Sequence, residues 1–100
     1  MSSSTVETQH VVVTTLTVTA DALTVELSDG RTISVPLSWY PRLCHATAEE
    51  QRNWRLIGGG RGIHWPLLDE DISVENLVFG KASAESQASL KRWLEGRSKN

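Results

Sequence analysis

The chain has 100 residues, 10 basic and 12 acidic side chains, a net charge of −2 and one cysteine. That length makes one domain with one core. The near-balance of charge argues against a dedicated nucleic-acid or membrane surface, and a single cysteine excludes an intrachain disulfide.

Residues 1–9 are polar and read as a disordered start without an apolar signal segment. A single domain is expected over 10–96, with a short tail at 97–100. No apolar run approaches the roughly 18 residues of a membrane span, so no membrane association and a cytoplasmic location are expected. HVVVTTLTVT, residues 10–19, is rich in Val and Thr. Side chains branched at Cβ suit a pleated surface, so this is a strand. Leu23, Val25 and Leu27 then alternate with polar residues, as do Ile33, Val35 and Leu37. Asp29-Gly30 between them reads as a hairpin turn. Pro36 has no N–H to donate and marks an edge or a strand end. The first 37 residues thus predict a three-stranded antiparallel meander with one apolar face.

Helices must cover that face. Thr47-Ala48-Glu49-Glu50 fits a capping box. The helix it opens is expected to run to about Ile57, with Trp54 and Ile57 on its inner face, and to stop at Gly58-Gly59-Gly60. Ile63-His64-Trp65, between Gly62 and Pro66, predicts a fourth short strand. Ser73 caps a second helix ending at Gly80, with Ile72 and Leu77 as a hydrophobic staple. Ser83 opens and Gly96 closes a third, with Leu90, Trp93 and Leu94 as its inward stripe. The fold class is therefore α+β, with two or three helices on the meander.

Charge is uneven along the chain. Asp69, Glu70, Asp71 and Glu75 form an acidic stretch, and residues 81–100 carry Lys81, Lys91, Arg92, Arg97 and Lys99. Pairing between these segments is expected, within one molecule or across a dimer. Asp69 or Asp71 is expected to pair with Arg42, Arg55 or Arg61. Acids ahead of Ser73 also suit the dipole of the helix that follows.

His64 with Asp69, Glu70 and Asp71 is the best metal candidate. A zinc site wants three or four ligands, and only one His is at hand, without H-x-H or H-E-x-x-H spacing. No metal and no cofactor are expected. The enzyme reading is metal- or anion-assisted chemistry at His64, Asp69 and Asp71. Cys44-His45 is no dyad, because helix neighbours point about 100° apart. GGGRG lacks the Lys-Ser/Thr of a phosphate loop and reads as a helix stop, with Arg61 free to meet an anion.

Arg42, Arg52, Arg55 and Arg61 are interleaved with Trp39, Tyr40, Trp54 and Trp65. Such a mixture can stack on bases and contact phosphates. It can equally form a protein interface. The charge balance favours the interface, and the basic last helix, with Lys91 and Arg92, shows no evident helix-turn-helix partner. Four Trp in so small a chain put one or two at an interface.

Three blocks carry a resemblance. They are LTVELSDGRTISVPLSWYPRL, then ATAEEQRNWR at 46–55, and GIHWPLLDEDISVENLVFG, the most specific. From about Val18 to Leu94 the chain resembles the bacterial domain-of-unknown-function 2442 family. The resemblance implies a small α+β fold with an N-terminal antiparallel sheet and brings no catalytic set. It also implies genomic company. Some relatives are fused to a helix-turn-helix domain, and others are proposed to pair with small neighbouring proteins as toxin–antitoxin systems.

The leading expectation is a non-enzymatic protein–protein interaction module, an antitoxin-like partner that also forms a homodimer. Its candidate contact residues are Trp39, Tyr40, Arg42, Trp54, Arg55, Arg61, His64 and Trp65, with Asp69, Glu70 and Asp71 as an acidic cluster. The alternatives are a nucleic-acid-binding regulator and the enzyme at His64.

Overall fold

The computed structural model describes residues 11–98. The expected disordered start, His10 and the last two residues lie outside the described residues. Strands β1 (Val13–Val18), β2 (Ala22–Leu27) and β3 (Thr32–Pro36) form the expected meander in the order β1-β2-β3. Leu23 faces Val35 and Val25 faces Ile33, so the period-2 pattern puts one apolar row on one face. The Asp29 carboxylate accepts from the Arg31 N–H at 3.0 Å in the hairpin turn, and Gly30 adopts φ +93° there. Pro36 closes β3, an edge strand that can spare the missing donor.

A 3₁₀ turn over Leu37–Trp39 leads into α1 (Pro41–Cys44), whose first position is proline. The capping box at Thr47 is present: Thr47 Oγ1 accepts from the Glu50 N–H, and Glu50 Oε1 accepts from the Thr47 N–H. Its helix, α2 (Ala48–Arg52), is far shorter than expected. Residues 55–57 form strand β4 (Arg55–Ile57) instead of a continuing helix. The physical reason is tertiary. A short isolated helix is marginal, and Leu56 gains a cross-strand partner in Ile63, a fully buried side chain.

Gly58–Gly60 then make a 3₁₀ turn rather than a helix stop. All three have positive φ, and a Cβ on Gly60 would sit 3.0 Å from Val12 Cβ. The expected fourth strand is β5 (Gly62–Trp65), the centre of a second antiparallel sheet completed by β6 (Glu70–Ser73), in the order β4-β5-β6. Ser73 caps α3 (Val74–Phe79) and Gly80 ends it in the left-handed region, as the sequence indicates. The last helix, α4 (Gln87–Ser98), starts later and ends later than expected. Ser83 Oγ is used in a local turn to Glu85, Ser86 Oγ accepts from the Ser89 N–H, and Gly96 lies inside the helix. One core joins both sheets, with Leu23, Val25, Leu43, Ile63, Trp65 and Leu68 at its centre.

Candidate functional site

The second sheet sorts the acidic cluster by strand geometry. Successive side chains alternate between faces. Ile63, Trp65, Glu70 and Ile72 share the core side, while Arg55, His64 and Asp71 form one cross-strand row on the other. The three consecutive acids therefore have three different settings. They precede the Ser73 cap as expected, but as the turn residue and first residues of strand β6. Asp69 lies in the β5–β6 turn at φ +52°, a conformation Asp tolerates better than most residues. Glu70 begins β6 opposite Trp65, and Asp71 meets His64.

Glu70 is half-buried, and its carboxylate makes no hydrogen bond to another described residue. Burial pushes its pKa up to about 7, and the nearby Glu85 carboxylate pushes the same way. Arg42 opposes them, while Asp71 and Asp69 add to the rise. Burial, and then the Glu70 charge, also raise the Tyr40 hydroxyl. That hydroxyl donates to the Lys81 carbonyl at 3.3 Å.

Arg42 is the hub of this cluster. Its Nε lies 3.0 and 2.9 Å from the two Glu85 carboxylate oxygens, and Nη2 is 2.8 Å from Oε2. Nη1 donates to the Leu68 carbonyl at 3.1 Å. The guanidinium also lies over the Trp93 ring, 5.4 Å from its centre. The Arg42 hydrogen bond holds the Glu85 carboxyl below its ordinary range. Asp69 is only a distant partner, 3.9 Å from Nη1 with 92% of its side chain exposed. The expected Asp–Arg pair thus exists in weak form, and Glu85 takes the strong position. Within one molecule and among the described residues, no ion pair joins residues 69–75 to the basic C-terminal segment. Arg97 of α4 binds both Glu50 oxygens at 2.8 and 2.9 Å.

The remaining candidates separate by exposure. Trp65 is fully buried and donates its indole N–H to the Gln51 carbonyl at 3.0 Å. Tyr40 is also buried, and Trp39 and Trp54 pack against the core while half-buried. Arg55 and Arg61 are exposed, with no side-chain partner among the described residues. His64 Nδ1 meets Asp71 Oδ1 at 2.5 Å, which fixes the ring. Trp54 lines a cleft of about 300 Å³ between β1 and α2, with Leu16, Val18 and Arg52. Among the described residues no three His, Cys, Asp or Glu side chains are gathered as a metal site.

Spacing in the sequence misplaces Ile57 and does not reveal the roles of Leu56, Glu85 and Arg97. Leu56 and Ile57 are exposed on β4, because the segment is a strand and not the inner face of a helix. Glu85 and Arg97 carry no local signal, since their partners are 43 and 47 residues away.

Comparison with known proteins supplies fold and family. A crystal structure of a protein of unknown function from Rhodospirillum rubrum is similar, with a TM-score of 0.64 and 23% identity over 81% of this chain and 98% of that one. A solution structure of an uncharacterized protein from Chromobacterium violaceum is similar at a TM-score of 0.65 and 16% identity, over 89% of this chain and 82% of that one. At these identities the likeness concerns the fold. No curated protein matches the chain. The family model for proteins of unknown function designated DUF2442 matches residues 13–83.

Proposed function

We infer a role for a chain that belongs to the DUF2442 family: it is a small protein–protein interaction module, antitoxin-like in occluding a partner's active surface. The observation that carries this reading is the β4 edge. This strand is paired on one side only. It holds Arg55 beside Leu56 and Ile57, which are 37% and 38% exposed. An edge strand offers unpaired backbone groups to another chain. Arg55 and the His64–Asp71 pair share one face of the sheet with Ile57, and polar groups beside an apolar centre are the usual anatomy of such a surface. Trp54 flanks it at the cleft.

The alternatives have less support. Arg42, which the nucleic-acid reading needs, is already neutralised by Glu85. The enzyme reading joins His64 to Asp71 but leaves Asp69 in solvent at the turn.

Co-expression with the product of the adjacent gene tests the reading. A stoichiometric complex by size exclusion with light scattering is expected, lost in Leu56→Asp while the melting temperature of the free chain holds. A complex unaffected by Leu56→Asp, or no complex at all, rejects the β4 surface. The chain measured alone reports whether a second copy takes that edge about a two-fold axis.

A further inference from the structure

Three rows of side chains cross the second sheet, and all three end open at β4. Arg55 pairs with His64 and His64 with Asp71. Leu56 pairs with Ile63 and Ile63 with Ile72. Ile57 pairs with Gly62 and Gly62 with Ser73. β4 has a neighbouring strand on one side only, and all three of its residues are exposed. A strand laid along the free side adds one residue to each row, because directly opposite side chains in a ladder stand about 4.5–5.5 Å apart at Cβ.

The first row is electrostatic. Asp71 is engaged by His64. Arg55 has no side-chain partner among the described residues. The place opposite it suits a carboxylate, while a Lys or Arg there meets like charge. The second row is apolar: Ile63 and Ile72 are buried, and Leu56 is exposed at the open end. An apolar side chain opposite Leu56 continues that row. In the third row Ile57 leans inward over Gly62, its Cγ1 and Cδ1 3.1 and 3.4 Å from where a Cβ on Gly62 would stand. The place opposite Ile57 is thereby open to a second large apolar residue.

A second copy does not complete these rows. The Arg-Leu-Ile sequence of β4 holds no acid, so no pairing of β4 with itself sets a carboxylate opposite Arg55.

We propose, resting on the β4 interaction surface already inferred, that this edge takes an extended segment of a partner protein with an acidic residue opposite Arg55 and apolar residues opposite Leu56 and Ile57. Main-chain hydrogen bonds hold the added strand, and the three rows select its side chains. Every strand pair in both sheets is antiparallel. Added in the same sense, the segment reads apolar-apolar-acidic along its chain.

Two capped synthetic peptides, titrated into the isotope-labelled full chain at low ionic strength, test this. Each carries Thr and Ser around a centre of Ile-Val-Glu or Ile-Val-Lys. Amide shifts at Arg55, Leu56 and Ile57 are expected. The Glu peptide is expected to bind roughly tenfold more tightly than the Lys peptide, the gap between an attractive and a repulsive cross-strand pair. Arg55→Glu is expected to reverse that preference, with the amide shifts of β2 as the control for the fold. Equal affinity for the two peptides at β4, or a preference unchanged in Arg55→Glu, overturns the acidic partner and leaves β4 standing as an interaction surface. Shifts centred away from β4, or no binding by either peptide, overturn it as well. Shifts at β4 that depend on protein concentration without peptide give the edge to a second copy and also overturn it. A complex with the neighbouring gene product that ignores Leu56→Asp rejects the β4 surface itself, a failure the peptide comparison does not report.

Discussion

Trp65 and Glu70 stand opposite each other at the end of the β5–β6 ladder, so a fully buried indole and a carboxylate share the core side of the second sheet. The indole excludes water from one side of the acid, and Glu85 adds like charge from another. Stability therefore depends on the proton that Glu70 carries.

The sign follows from the raised pKa. The folded chain holds the Glu70 proton more tightly than the unfolded chain. This contribution is complete below the ordinary carboxylate value of 4.5 and is lost as pH rises through about 7. Glu70→Gln is expected to remove this slope and to stabilise the chain at pH above 7, by on the order of 2 kcal/mol after allowing for the solvent that still reaches the group. Urea denaturation at a series of pH values measures both. A wild-type slope unchanged in the variant contradicts the assignment.

Glu50 acts in the opposite sense. Hydrogen bonds from Arg97, and then from the Thr47 N–H, lower its pKa to about 2. Its contribution is complete above the unfolded value of 4.5 and fades as pH falls toward 2. A double-mutant cycle with Glu50→Gln and Arg97→Gln is expected to give a coupling of about 1 kcal/mol at neutral pH, vanishing in acid. A coupling that persists in acid would mean that packing, and not charge, joins α2 to α4.

Trp65 is the largest fully buried side chain, and its N–H is used. Trp65→Phe leaves both a void and a Gln51 carbonyl without its donor. A loss of roughly 2–3 kcal/mol is expected in the urea midpoint. A change below about 0.5 kcal/mol would show that the core collapses around the smaller ring.

Gly60 and Gly30 separate backbone strain from crowding. Both have strongly positive φ, but a Cβ at Gly60 meets Val12 Cβ at 3.0 Å, while one at Gly30 meets nothing within 4 Å. Gly30→Ala is expected to cost about 1 kcal/mol from φ alone. Gly60→Ala should cost at least about 1 kcal/mol more, because β1 must also give way. Equal melting temperatures for the two variants would remove Val12 from the account.

Local signals read well wherever their chemistry is local. The meander follows from alternation at Leu23, Val25, Ile33 and Val35. Thr47 and Ser73 cap helices through their own side chains, and Gly80 ends α3. The helix expected through Ile57 did not form, because an Arg-Leu-Ile segment satisfies either period over three residues and the choice lay with Ile63 across the sheet.

The sequence by itself determined the first sheet, the caps, the α+β class and the family resemblance, since each depends on neighbours a few positions apart. Tertiary structure alone decided the second sheet and the fate of its acids. One residue of offset along a strand turns Glu70 to the core and Asp71 to His64. It also decided that Arg42 serves Glu85 and that Arg97 serves Glu50. Ion pairs across more than forty residues are set by where the packed elements bring their side chains, and no spacing in the chain records that.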